Sequence, residues 1–172
     1  MLELESPIWK FALDFYHRPG VSDACLTLQD DANVDVIELL VVLFAGHGLC
    51  RDLSTDELAE MRRNVASWRE MTVLPLREIR RALKPQRLEF PRHEKEILRA
   101  KVKSIELLAE QIQIAIAYQW LTNRPPAPVG LTLEGALETL LGVENFEECP
   151  QSCRDALVHI IMTVTSMDDG PR

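Results

Sequence analysis

The sequence predicts an all-α protein, a single-domain helical bundle of six or seven helices around a buried central helix (34–46), with one long helix (91–121). Three observations carry this expectation. The run VDVIELLVVLFAG is interrupted only by Asp35 and Glu38, and a helix apolar on nearly every side must be wrapped by other helices. Apolar residues recur at three- and four-residue spacing along the chain, without strand-like alternation or an internal repeat. Cap and stop residues then divide the chain into helix-sized pieces.

Ser6-Pro7 supplies an N-cap followed by proline at the first helical position, where its missing N–H costs nothing. Ile8, Trp9, Ala12, Leu13, Phe15 and Tyr16 give a wide apolar face, and Arg18-Pro19-Gly20 stops the helix. Most of the aromatic stripe with Phe11 belongs in a core. Ser22 is the expected cap of a short second helix, and Asp30-Asp31-Ala32-Asn33 the polar turn before the central helix, which closes at Gly46-His47-Gly48. Leu53-Ser54-Thr55-Asp56-Glu57-Leu58 combines a capping box (Ser54, Glu57) with a hydrophobic staple (Leu53, Leu58). Leu58, Met61, Val65 and Trp68 then share one face, and Pro75 should end or kink that helix. Pro91 opens the long helix, about 45 Å of it, in which Leu98, Val102, Ile105, Ala109, Ile112 and Ile116 form a heptad-like seam. Residues 123–130 are a proline-rich internal loop. Thr132 caps a helix closed by Gly142, and Pro150 starts a last helix with Leu157, Ile160, Ile161 and Val164 inward.

A chain of 172 residues can bury roughly 70% of its unfolded surface, so residues 1–172 suffice for one domain without metal or disulfide support. At thirteen residues, two of them carboxylates, this run is well short of the ~20 apolar residues that cross a bilayer, so no membrane segment is expected. The acidic start Met1-Leu-Glu-Leu-Glu lacks the basic character of a secretory leader. A bacterial-type cytoplasm is therefore expected, with Cys25, Cys50, Cys149 and Cys153 as reduced thiols. Cys149 and Cys153 have no second pair or histidine doublet to complete a zinc set.

The net charge of −8 is unevenly spread. Residues 1–61 carry three basic and twelve acidic side chains, residues 62–92 nine basic and three acidic, and residues 93–172 seven basic and twelve acidic. One basic segment is thus set among acidic ones. It either neutralises the protein's own helices or offers a contact surface for an acidic partner.

Two clusters are candidate sites. Asp30, Asp31 and Asp35 precede the central helix, and Asp31 and Asp35 at i, i+4 could share a face and hold a hard cation or a magnesium–diphosphate. As N-caps and dipole partners they need no ligand. Arg77, Arg80, Arg81 and Lys84 form a candidate basic contact face, suited to carboxylate or phosphate. Arg69 or Arg77 pairing with Asp30 or Asp35 joins the two, so Asp30, Asp31, Asp35, Arg69 and Arg77 form a candidate pocket or ion-pair cluster. His17, His47, His93 and His159 are scattered. No phosphate-binding glycine loop and no nucleophile–base pair can be assembled. No catalytic residue, metal or cofactor is assigned.

Several pieces together resemble a known family. Trp9-x-Phe11-x4-Tyr16, Pro19-Gly20-Val21, Cys25-Leu26-x-Leu28-Gln29-Asp30 and Asp35-Val36-x2-Leu39-Leu40 are similar to the opening of an uncharacterised family of small proteobacterial proteins, a domain of unknown function. Trp68-Arg69-x5-Pro75-Leu76-Arg77 resembles its middle block. The resemblance implies an intracellular helical fold and assigns no catalytic residue. Where the family pattern has an asparagine after Asp35-Val36, this chain has Ile37.

The expected function is that of a non-enzymatic interaction or regulatory protein. The alternative is a small helical enzyme or ligand binder using the Asp cluster with magnesium–diphosphate or another anion. The expected partner is another protein, with a homo-oligomer through the long helix as a further option. Nucleic acid is disfavoured by a pI near 5.0.

Overall fold

The central helix sets the architecture. In the computed structural model, which describes residues 1–84, 91–125 and 129–167, it is α3 (Val36–Leu43), and every residue from Ile37 to Leu43 is buried. Around it stand α1 (Pro7–Tyr16), α2 (Val21–Asp31), α6 (Arg92–Thr122) and α7 (Leu133–Leu141), all in contact with it. The regular helix is shorter than the apolar run predicts. Asp35 is its N-cap, accepting the Ile37 N–H at 2.9 Å, and Phe44–Gly48 continue it as a π-helical turn. Gly48 permits that wider turn, because a Cβ there would lie 2.8 Å from the Phe44 ring.

α4 (Thr55–Trp68) begins at the predicted capping box, with both reciprocal bonds between Ser54 and Glu57 present. It runs through a second π-helical turn, Arg69–Val73, into α5 (Leu74–Ala82). Pro75 sits just beyond this turn, where its missing N–H and ring bulk disturb the regular ladder. Counting this bent rod once gives seven helices, and no strand is present among the described residues. α8 (Gln151–Ser166) packs along α2. Cys149 and Cys153 at its start are buried free thiols.

Two boundaries differ from the sequence reading. α2 starts at Val21 behind Gly20, not behind Ser22. Gly20 has φ +79°, and a Cβ there would meet His159 at 2.8 Å, so both conformation and space require glycine. Asp30 and Asp31 are the last residues of α2, and Asn33, at φ 53°, turns the chain before α3. Asp31 and Asp35 therefore lie on two different helices and do not share the face that i, i+4 spacing suggested.

The long helix is covered over only part of its length. From Ala109 onward Gln113, Ile114, Ala115, Ala117, Trp120 and Leu121 are buried. Arg51, 7% exposed, caps its C-terminus, donating to the carbonyl of Leu121 at 2.7 Å and pairing with Glu57 at 2.6 Å. The first half is different. Val102 is buried, but Leu98 and Ile105 are 51% and 52% exposed, with Ile97, Leu107 and Leu108 comparably open. The predicted seam is thus split between core and solvent. The proline-rich loop 123–130 is described only at its ends, since 126–128 lie outside the described residues.

Candidate functional site: a row of paired charges ending in a cleft

α4, the π-turn and α5 form one basic rod, and α3 and α6 face it with carboxylates. Arg62 donates through Nε to Glu38 at 2.9 Å. Arg69 pairs through Nε with Asp35. Arg77 reaches Glu106 at 3.3 Å and Glu110 at 2.6 Å, and donates to the Gln29 side chain at 3.3 Å. Arg80 pairs with Glu106 through Nε and, at 3.1 Å, through Nη2. Four guanidiniums therefore meet four carboxylates. Gln113, fully buried, stands between the two halves of the row, its amide 3.5 Å from Asp35, and its Oε1 has no partner among the described residues.

Burial governs the titration of this row. It pushes Glu38 above its ordinary value, against the opposing pull of Arg62. Glu110 is likewise raised by burial, with Arg77 opposing. Burial lowers Arg77 and Arg80 as well, but the carboxylates win and hold both guanidiniums charged; for Arg80 the Glu106 bond is the largest influence. Nearby, burial pushes the Cys25 thiol up to about 11, against the opposing pull of its hydrogen bond with Tyr16. That thiol is a core residue with little thiolate to offer.

The predicted site residues separate. Asp35 and Arg69 are together and line an open cleft. Arg77 lies in the closed half of the row. Among the described residues Asp30 makes only a surface pair with Arg81, 3.6 Å apart and more than half exposed on both sides, and Asp31 accepts a bond from Ser152 of α8 at 2.8 Å. The four cations of the expected contact face do not share an open face either. Arg77 and Arg80 turn toward α6, while Arg81 and Lys84 are exposed. α5 ends at Ala82, so Lys84 lies beyond the helix, and Arg81 is drawn to Asp30 at the end of α2.

Glu106 and Glu110 escaped the sequence reading, as did Arg62, Glu70 and Gln113. A signal existed: Glu106, Glu110 and Gln113 interrupt the inward positions of the long helix at i, i+4, i+7, where buried polar residues require partners. The cleft, of about 420 Å³, lies between α3, α4 and α7 and is lined by Asp35, Glu38, Arg62, Ala66, Arg69, Glu70 and the Thr139–Gly142 end of α7 among others. Among the described residues no three His, Cys, Asp or Glu side chains come together as a metal set, and no helix is long and apolar enough to cross a membrane.

No curated protein and no solved structure matches the chain. The profile of a family described as protein of unknown function, DUF2390, matches residues 7–116. That span includes α1 to α5, most of α6, every charge of the paired row and the α4 side of the cleft, and ends before α7 and α8. The chain belongs to the DUF2390 family of proteins of unknown function.

Proposed function

We propose that this protein is a non-enzymatic interaction protein that docks an acidic amphipathic helix of a protein partner on the first half of α6. The observation that carries this reading is the apolar face of Ile97, Leu98, Ile105 and Leu108, each about half exposed. Such contiguous exposed apolar surface, rimmed by charge, is characteristic of a protein-binding site. Lys101 lies on this same face, with Glu94 at its N-terminal end, and Arg81 and Lys84 are exposed on the neighbouring α5 segment. An acidic partner is favoured by that charge and disfavoured by the rest of a −8 chain, which fixes where it can dock. The docking surface is therefore shifted from the predicted Arg77–Lys84 face toward α6, because Arg77 and Arg80 already hold Glu106 and Glu110. The unpaired cysteines, three of them buried, suit a reducing compartment such as the cytoplasm.

Fluorescence anisotropy with a synthetic acidic amphipathic helix tests this. Binding should weaken from 0.1 to 1 M salt, as the Debye length falls from ~10 to ~3 Å, and should vanish in Leu98→Glu/Leu108→Glu. Equal binding by that variant would reject the α6 face. Light scattering that gives a concentration-dependent dimer, lost in the same variant, would reassign the face to self-association.

A further inference from the structure

We propose that the cleft between α3, α4 and α7 binds a small zwitterion, gripping its carboxylate or phosphate group with Arg62 and Arg69 and its ammonium group with Glu70. The site is separate from the α6 docking face and takes a ligand of a different class.

The two arginines are built for this. They lie seven residues apart, Arg62 on α4 and Arg69 at the start of the π-turn that continues it, about two turns and ~10 Å along the rod, with Ala66 between them lining the cleft. Each is fixed by a carboxylate of the α3 segment through Nε alone: Arg62 by Glu38, Arg69 by Asp35. Asp35 is itself fixed, since its other oxygen caps α3. The terminal nitrogens of both guanidiniums make no hydrogen bond among the described residues, although a guanidinium carries five N–H donors in a fork shaped for an oxyanion. A structural ion pair would normally use that edge, as Arg77 and Arg80 do within the same rod.

Glu70 sets the second half of the ligand. It lines the cleft beside Arg69, is exposed, and has no hydrogen bond or ion pair among the described residues. With Asp35 and Glu38 it makes three carboxylates against two guanidiniums, so a bare polyanion meets net negative charge. A ligand carrying an amine next to its oxyanion satisfies both ends. Ala32, Leu140 and Leu141 supply an apolar wall, and 420 Å³ is at the small-molecule end of ligand sites, which run ~300–1,000 Å³. Arg69 and Glu70 open the π-helical turn, the kind of irregular turn that often marks such sites.

The test is titration of the full chain by NMR, following the arginine side-chain resonances, with O-phosphoethanolamine, inorganic phosphate and ethylamine as probes. Phosphoethanolamine should shift the Arg62 and Arg69 signals and bind about tenfold more tightly than phosphate, with ethylamine weaker than both. Arg62→Gln should weaken phosphoethanolamine about tenfold or more. Arg69→Lys, which keeps a cation for Asp35 but removes the fork, should do the same while remaining folded. Glu70→Gln should erase the preference over phosphate and leave phosphate binding no weaker. Absence of shifts up to tens of millimolar, or unchanged affinity in both arginine variants, would overturn the site. An unchanged preference in Glu70→Gln would overturn the zwitterion.

Discussion

The two halves of α6 carry the same kind of apolar spacing and meet opposite fates. In the second half, Ile114, Ala117 and Leu121 are buried under α1, α3 and α4. In the first half, Leu98 and Ile105 keep half their surface in water. Periodicity states which residues share a face; it cannot state whether another element reaches that face. The segment ahead of α1 meets α6 at Gln111, whose side chain donates to the Leu4 carbonyl at 3.1 Å. Among the described residues, the first half of α6 is met by α5, whose Arg77 and Arg80 reach Glu106. The buried glutamates mark the crossing, with Glu106 4% exposed beneath Arg77 and Arg80.

Substitutions at matched positions sharpen this contrast. Leu121→Ala in the covered half should cost about 2–5 kcal/mol, the range for a closely packed leucine, read as a drop in urea midpoint at constant slope. Glu106→Ala comes next. It strands Arg80 and removes one of two carboxylate partners from Arg77, so a loss of about 2–3 kcal/mol is expected, below the full buried-pair value because both arginines retain some exposure. Glu106→Leu with Arg80→Leu should recover much of that loss. If the double variant is no better than the single one, the pairing is not what Glu106 contributes.

A smaller effect appears in the pH dependence. Burial raises Glu110 in the folded state, with Arg77 opposing, so its contribution is fully present below the unfolded value of about 4 and declines as pH rises. Glu110→Gln, which cannot ionise, should gain on the parent protein between about pH 4 and neutrality. Glu57 behaves in the opposite sense. Burial pushes it up, but the Ser54 N–H and Arg51 outweigh burial and lower it, so its contribution is present above about pH 4 and lost in acid. Glu57→Gln should be costly at neutral pH and converge with the parent on acidification. Parallel stability curves for both variants would remove the distinction. The smallest change belongs to the open half: Leu98→Ser with Leu108→Ser should stay within about 0.5 kcal/mol per site, since little burial is lost. A cost comparable with Leu121→Ala would mean that this face is covered after all.

Much of the molecule was legible one element at a time. The capping box at Ser54 and Glu57, the Thr132–Gly142 helix and the burial of Leu39 to Leu43 depend on residues within a few positions of one another. Caps and apolar periods act through the local backbone, so they can be read from a linear string. The uneven charge was equally visible, and with it the choice between internal pairing and an external partner.

What the sequence by itself determined is therefore the helical class, the central position of α3 and the concentration of arginine in one rod. Only the tertiary structure decided the pairing. Asp30, Asp31 and Asp35 are close in sequence, yet the left-handed turn at Asn33 sends them to Arg81, Ser152 and Arg69 on three separate elements. Arg77 finds Glu106 and Glu110 from 29 and 33 residues away, and no local pattern specifies that meeting. Charge attraction is too weakly directional to choose among so many carboxylates. The close packing of α4, α5 and α6 makes the choice, by admitting only side chains that arrive on the facing sides of those helices.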